Sequence, residues 1–136
     1  MSERTLVLLK PDAVRRNLVG EILSRFERKG FTLAAMQLRH IDAEVADLHY
    51  VEHVEKGWYP ELRGFITSSP LVAAILKGDQ AIEVVRAMVG ATDGRKAAPG
   101  TIRGDYSLSG SENLVHASDS PESAARELAL WFPDEV

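Results

Sequence analysis

The stretch NLVHASDSPES, residues 113–123, ends a short apolar run in a histidine and follows it with small and acidic residues. An imidazole at a strand end suits nucleophilic or general-base work near neutral pH. Further on, Glu127 stands three residues before Leu130 and four before Trp131, beside the apolar face of a helical pattern. A carboxylate at the edge of a buried face needs a polar partner. His116 and Ser118 are the nearest candidates, just across the turn before that helix. A carboxylate that accepts from one imidazole nitrogen fixes the tautomer and leaves the other nitrogen free to attack. Taken alone, each residue also has a plain reading: a surface histidine in a loop and an exposed glutamate.

The basic residues raise the same choice. Lys10 stands where LVLLKPD leaves an apolar run, and strand ends in α/β proteins are common ligand positions; it could equally cap the strand. Arg86 lies on the flank of a helical stripe, with Glu83 at i, i+3 as an ordinary partner. Arg103 sits in PGTIRGD, where Asp105 could pair with it. If these three cations converge in one cleft, they bind phosphates even in a chain of net charge −4. Tyr50, Trp58 and Tyr59, in YVEHVEKGWYP, read as edge packing or as a stacking platform for a planar ligand. His49 and His53 have an i, i+4 spacing that could hold zinc, but HYVEH lacks the HExxH order and offers no obvious third ligand. His40 reads as a surface residue at a strand end. There is no GxxxxGK[ST] loop, no GxGxxG and no GxSxG, so if nucleotide phosphates bind they do so without a P-loop, and serine hydrolysis has no support.

These residues need a scaffold, and the composition permits one. The chain has 136 residues, the size of one ordinary domain, with 45% apolar and 26% charged residues. There are no cysteines, which excludes disulfides, cysteine-ligated zinc and thiol catalysis. The N-terminus MSERTLVLLKPD has too short an apolar run for a signal peptide or a membrane span, so the default compartment is the cytoplasm. No basic run marks a duplex nucleic-acid binder.

The hydrophobic periods supply the elements. Thr5 to Leu9 reads as a buried strand. Val19, Ile22, Leu23 and Phe26 recur at helical spacing, closed by Gly30. Phe31 to Ile41 is a second strand, rich in alternating apolar residues. Asp42 caps a short helix through Tyr50, and Pro60 opens another with Leu62, Phe65 and Ile66 on one face. Leu71 to Leu76 is a third strand. Asp79 then caps a helix with Ala81, Ile82, Val85, Met88 and Val89 in a stripe that ends at Gly90. Residues 91–112 show no period, and a loop of that length is usually functional or disordered. Leu114-Val115 is a short fourth strand, with His116 at its tip. Ser120 caps the last helix, Pro121 takes its first position, and Ala124, Ala125, Leu128, Trp131 and Phe132 form its apolar face. Two βαβ-like halves of this size suggest a four-stranded α/β sandwich of ferredoxin-like type.

Taken together, LVLLKPDAVRRNLVGEILSRFERKGF, HYVEH with its aromatic pair, SSPLVA, PGTIRGDY and NLVHASDSPESAARELALWF resemble nucleoside diphosphate kinases over roughly residues 3–133. The histidine segment followed by SDS, with TIRGD upstream and KPD at the N-terminus, is highly specific. The resemblance implies a single domain over 1–136 with a ferredoxin-like α+β fold, a four-stranded antiparallel sheet covered by helices. It implies a ping-pong reaction: a nucleoside triphosphate phosphorylates His116 at its pros nitrogen, and a nucleoside diphosphate then removes the phosphate, with broad tolerance of base and sugar. Carried over residue by residue, Glu127 orients His116 and Ser118 supports that contact. Lys10, Tyr50, Arg86, Thr92, Arg103 and Asn113 match positions that bind phosphates and sugar hydroxyls. Trp58 stands where the family usually has a phenylalanine under the base, with Leu62 beside it. Asp119 matches a position near a magnesium ion, Mg2+, which is expected to ride mainly on phosphates and water.

Three positions depart from the family's usual pattern. Ala117 replaces the glycine that commonly follows the histidine, where a methyl group would crowd the phosphohistidine. Ser69 replaces the glycine of SGP, and Gly94 stands where proline is common. The resemblance further implies ATP and other nucleoside tri- and diphosphates as partners, a homo-oligomer (hexamer or tetramer) built from dimers, and no need of membrane or nucleic acid. A histidine phosphocarrier or protein-histidine kinase shares His116 without needing base or sugar contacts. A single-strand-binding module on a ferredoxin-like sheet would display stacking aromatics on its central strands; here the strands are aliphatic.

Overall fold

The apolar N-terminal run becomes one of the two central strands of a sheet. In a computed structural model, which describes residues 2–135, β1 (Ser2–Leu9) leads into a short helix α1 (Pro11–Arg15), α2 (Val19–Lys29), β2 (Thr32–Arg39), α3 (Ala43–His49) and α4 (Tyr59–Ile66). Then follow β3 (Leu71–Asp79), α5 (Ala81–Val89), α6 (Ile102–Tyr106), β4 (Val115–Ala117) and α7 (Pro121–Trp131). The sheet order is β2-β3-β1-β4 and every neighbouring pair is antiparallel. This is the four-stranded, ferredoxin-like α+β arrangement expected from the element order.

Consecutive side chains of a strand face opposite sides of the sheet, and both sides here are covered. On one face Val7, Leu9, Val72, Ala74, Leu76, Val115 and Ala117 pack with Ile22 and Phe26 of α2 and Val85 and Val89 of α5. On the other, Leu6, Leu8, Ala73 and Ile75 pack with Tyr50, Tyr59, Ile66 and Trp131. Being covered twice explains why β1 and β3 read as unbroken apolar runs. β2 is an edge strand and buries little: Met36 is 52% and Leu38 67% exposed.

Several boundaries differ from the expected ones. β3 runs on to Asp79, so Asp79 is not a helix cap; Gln80, at φ 52°, precedes α5 without a side-chain cap bond. The N-terminus of α5 is served instead from the neighbouring strand, where Glu3 Oε1 accepts the Ile82 amide at 2.9 Å. The aperiodic stretch contains α6, whose five residues are too few to show a period; Thr101 caps it by accepting the Gly104 amide at 3.0 Å. Ala125 lies on the exposed side of α7, not on its apolar face. The fourth strand is shifted onward, to Val115–Ala117, so His116 is its central residue and not its tip. The caps at Asp42 and Ser120 and the left-handed Gly30 are as expected.

Candidate active site

The sheet register decides where the histidine points. His116 pairs with Leu8, flanked by the pairs Val7 with Ala117 and Leu9 with Val115. Val115 and Ala117 face the α2/α5 side, so His116 faces the side of α3 and α7. The methyl of Ala117 accordingly packs into the core, 2% exposed, and does not crowd the ring, contrary to the expectation from sequence.

On that side the ring meets α7. His116 Nε2 lies 2.9 Å from Glu127 Oε1, and Ser118 donates its hydroxyl to the same oxygen at 2.8 Å. Glu127 is 4% exposed and Ser118 fully buried. Arg126 lies 3.6 Å from the other carboxylate oxygen. An ionised carboxylate only accepts, so the neutral imidazole carries its proton on Nε2 and keeps the Nδ1 lone pair free. The plain reading of Glu127 as a surface residue does not hold.

The ends of β1 and β4 are tied together by LysProAsp and AsnLeu. The Lys10 amide donates to the Leu114 carbonyl at 2.8 Å. Lys10 Nζ donates to Asn113 Oδ1 at 2.8 Å, and Asp12 Oδ2 accepts the Leu114 amide at 3.1 Å. Leu114 is held at φ 74°, a left-handed conformation rare for a branched residue. Asn113 in turn donates to the Thr92 carbonyl at 2.8 Å. Asp12 was not legible as a site residue; the KPD tripeptide gives no hint that its aspartate reaches across the sheet.

Arg103, in α6, is 5% exposed and donates to the carbonyls of Asn113, Gly90 and Val115. Three of its five N–H groups thus tie the end of α5 to β4 and the residues just before it, and two have no such partner among the described residues. Asp105 does not pair with it but with Arg25, at 2.7 Å. Arg86 reaches from α5 to the Ala117 carbonyl at 3.3 Å.

These side chains enclose one cavity of about 270 Å³, lined by Lys10, Tyr50, Arg86, Thr92, Arg103, Asn113, His116, Asp119 and Glu127, with Trp58 and Leu62 at its outer end. Ser118 lies behind it. A more apolar slot of about 420 Å³, formed by Trp58, Leu62 and Phe65 and closed by Ser111 and Glu112, continues from the same Lys10, Thr92 and Asn113. Trp58 is 52% exposed, with the His53 ring 5.2 Å away and Lys56 Nζ 5.3 Å from its centroid. Tyr59 turns away to donate to Asp47 at 2.7 Å.

Crowding of cations in a partly desolvated space tunes the site. Burial, and then Arg103, lower the Lys10 pKa to about 8. Burial and Arg86 lower that of Arg103 to about 10, still charged at neutral pH. A hydrogen bond from Ser123, with Arg86 and His116 nearby, holds the Asp119 carboxyl below its usual value. Burial raises the Tyr50 phenol.

His49 and His53 do not share a ligand. His53 Nδ1 lies 2.8 Å from Lys56 Nζ, whereas His49 Nδ1 accepts the Trp131 indole N–H at 3.0 Å. His49 does have neighbours that the sequence concealed: it groups with His116 and Glu127, with one ligand atom of each within 4.8 Å of the others. Lys10, Arg86, Arg103 and Arg126 around the same cavity make it a seat for anions.

A family model described as nucleoside diphosphate kinase matches residues 3–136. A nucleoside diphosphate kinase of Nocardioides sp. is 69% identical over 133 residues, 98% of each chain. One from Mycolicibacterium smegmatis is 60% identical over 137 residues, covering 100% of this chain and 99% of its own length. Among solved structures, a halophilic nucleoside diphosphate kinase from Halobacterium salinarum in complex with CDP is 44% identical. It superposes with a TM-score of 0.96 over 99% of this chain and 90% of that one. A nucleoside diphosphate kinase family protein from Babesia bovis gives 0.94 at 47% identity, over 98% and 90% of the two chains.

Proposed function

The chain belongs to the nucleoside diphosphate kinase family and carries its phosphotransferase activity between nucleotides, and we propose that His116 is the residue through which the phosphate passes. The observation that carries this reading is the bond from His116 Nε2 to the buried Glu127, on the floor of a cavity ringed by cations. It leaves Nδ1, the pros nitrogen, unprotonated.

In the first half-reaction, Nδ1 attacks the terminal phosphorus of a nucleoside triphosphate. The N–P bond forms as the bond to the bridging oxygen breaks, and the nucleoside diphosphate leaves. The proton on Nε2 stays, and Glu127 stabilises the positive charge that the ring acquires. In the second half, a nucleoside diphosphate takes the phosphoryl group by the reverse step. Phosphoryl transfer requires positioning and charge neutralisation more than covalent machinery. Lys10, Arg86 and Arg103 supply the charge. Tyr50, Thr92 and Asn113 line the path of phosphates and sugar hydroxyls. The apolar slot between Trp58 and Leu62 takes the base, consistent with the CDP carried by the Halobacterium salinarum relative.

The donor set fits Mg2+ held mainly by the nucleotide. Asp119, exposed at the cavity mouth with its carboxyl kept ionised, is a single hard oxygen ligand and not a cage. Bound there with the phosphates, the ion would neutralise their charge.

The wider reading is one domain over residues 1–136, acting in the cytoplasm as a homo-oligomer built from dimers. The exposed Met36 and Leu38 of the edge strand β2 support the association. No helix is long and apolar enough to cross a membrane among the described residues.

Incubation with γ-labelled ATP tests the central claim. The protein should acquire an acid-labile, alkali-stable label that nucleoside diphosphates remove. His116→Ala should take no label while remaining folded. Normal labelling of that variant would move the nucleophile elsewhere.

A further inference from the structure

Two side-chain atoms that belong to the cavity wall are buried without a hydrogen-bond partner among the described residues, Oη of Tyr50 and Nε2 of His49. Tyr50 lies on the path already assigned to phosphates. His49 has no role there, yet it is 3% exposed and stands against the nucleophile.

His49 ends α3, and its tautomer is fixed from behind. The Trp131 indole N–H points to Nδ1 at 3.0 Å. An indole N–H only donates, so Nδ1 is unprotonated and the neutral ring carries its hydrogen on Nε2. Burial first, and then His116, Arg126, Lys10 and His53, push the His49 pKa well below its ordinary value, so the ring stays neutral. The imidazole stands perpendicular to that of His116, with centroids 4.6 Å apart and planes at 82°. It is clamped in turn by Tyr50 at 4.6 Å and Trp131 at 5.6 Å, both edge-to-face.

A buried N–H without a partner costs about 1–3 kcal/mol. A phenylalanine would avoid that loss but would leave the buried Trp131 indole N–H without its acceptor, so the fold uses Nδ1 while the Nε2 edge serves nothing in the packing. What the polar edge can meet is the π-face of a neighbouring ring, a weak but directional contact. His116 needs such a contact. Its covalent link at Cβ and its bond from Nε2 to Glu127 fix two points of the ring and leave the plane free to turn about the line between them.

We propose that His49 is a positioning residue for phosphoryl transfer: locked by Trp131, its N–H edge holds the plane of the His116 ring so that Nε2 stays on Glu127 while Nδ1 faces the cavity. The proposal rests on the reading of His116 as the nucleophile. Displacing a reacting atom by about 1 Å can cost about 10²-fold in rate, which sets the scale of the effect.

The test uses His49→Phe, which keeps a ring in place but loses both the N–H and the acceptor of the Trp131 indole, and Trp131→Phe, which removes that indole N–H and frees the tautomer; the double variant compared with Trp131→Phe isolates the loss of the imidazole. Three quantities are read: the single-turnover rate of phosphorylation by saturating ATP, ADP affinity, and the order of the His116 ring by NMR without nucleotide. His49→Phe should slow phosphorylation by about 10–100-fold with ADP affinity within about twofold and a less ordered His116 ring. In the wild type, the 15N shifts of His49 should report a neutral ring protonated on Nε2; in Trp131→Phe they should report a mixture, with a smaller loss of rate.

An unchanged rate and ring order in His49→Phe overturns the proposal. So does a loss of rate that merely follows a loss of ADP affinity. A wild-type His49 protonated on Nδ1 overturns it even if no variant folds. A wild-type protein that takes no label from ATP would remove the reading of His116 instead, and the ring order and tautomer, measured without nucleotide, still judge His49.

Discussion

Lys10 Nζ donates to Asn113 Oδ1 at 2.8 Å, joining two residues 103 positions apart in sequence. The bond ties the exit of β1 to the entrance of β4 and places a desolvated ammonium beside the histidine strand. Both side chains therefore reach the cavity already oriented.

This burial should give the activity an alkaline limit. With its pKa lowered to about 8 by burial and Arg103, Lys10 loses its charge in the free enzyme as pH rises past that value. kcat/KM should fall above about pH 8, and the kcat profile should break at higher pH because bound phosphate restores the charged form. Lys10→Gln should lower kcat/KM at neutral pH by about 10²–10³-fold, as for other removed transition-state donors, and abolish the alkaline break. A pH profile of both proteins checks this.

Asp12 should show in stability what Lys10 shows in rate. Burial, the dominant cause, raises its pKa above 3.8 despite Lys10 and the amides it accepts. The folded state thus binds its proton more tightly than the unfolded chain, so ionised Asp12 costs stability above its folded pKa. That cost disappears as pH falls through the folded value toward 3.8. Asp12→Asn should be at least as stable as wild type at pH 7, with the gap closing in acid. Asp12→Leu removes the acceptor of the buried Leu114 amide and should lose about 1–3 kcal/mol. Urea titrations across pH measure both.

Glu127→Gln should keep part of the activity. The amide still packs under His116 but cannot stabilise the ring charge, so phosphorylation should slow by about 10²–10³-fold, the range of a lost transition-state charge partner. Ser118→Ala, which loses one hydroxyl on the same oxygen, should be milder. Burst kinetics with ATP rank the two; a wild-type rate in Glu127→Gln would reduce the contact to packing.

Base tolerance follows from the slot. Trp58 and Leu62 present an aromatic and an aliphatic surface, and an apolar site discriminates by only about 10–200-fold. ATP, GTP, CTP and UTP should all serve, purines somewhat better, and ribose and deoxyribose forms alike. Trp58→Ala should weaken every nucleotide to a similar degree. Specificity constants under matched magnesium decide the matter. A preference above about 10³-fold would exceed an apolar slot and would assign the reading of the base to Glu112 or Ser111 at its rim.

Most of this was legible in the chain because it rests on local rules. Periodicity located β1, α2, β3, α5 and α7, since each buries a continuous face and the apolar spacing records it. The caps at Asp42 and Ser120 are bonds within one turn, readable from residue type alone. The motifs around His116, Arg103 and Lys10 point to the residues that the structure brings to one cavity.

What the sequence left open was long-range. The cap of α5 comes from Glu3, a residue on another strand, where residue type and local spacing point to Asp79. Five-residue α6 is too short for a period. Whether Glu127 was a surface carboxylate or the partner of His116, and whether Arg103 paired with Asp105, depended on contacts between elements. The sheet register settled the face of His116 and turned the Ala117 methyl into the core. The contacts of His49 and Asp12 are not readable from local spacing because their partners, Trp131 and Leu114, lie far along the chain. Sequence determines side-chain chemistry and local periodicity; the alignment of donors, burial and charges that makes a site is set by packing between distant segments, and only the tertiary structure decides it.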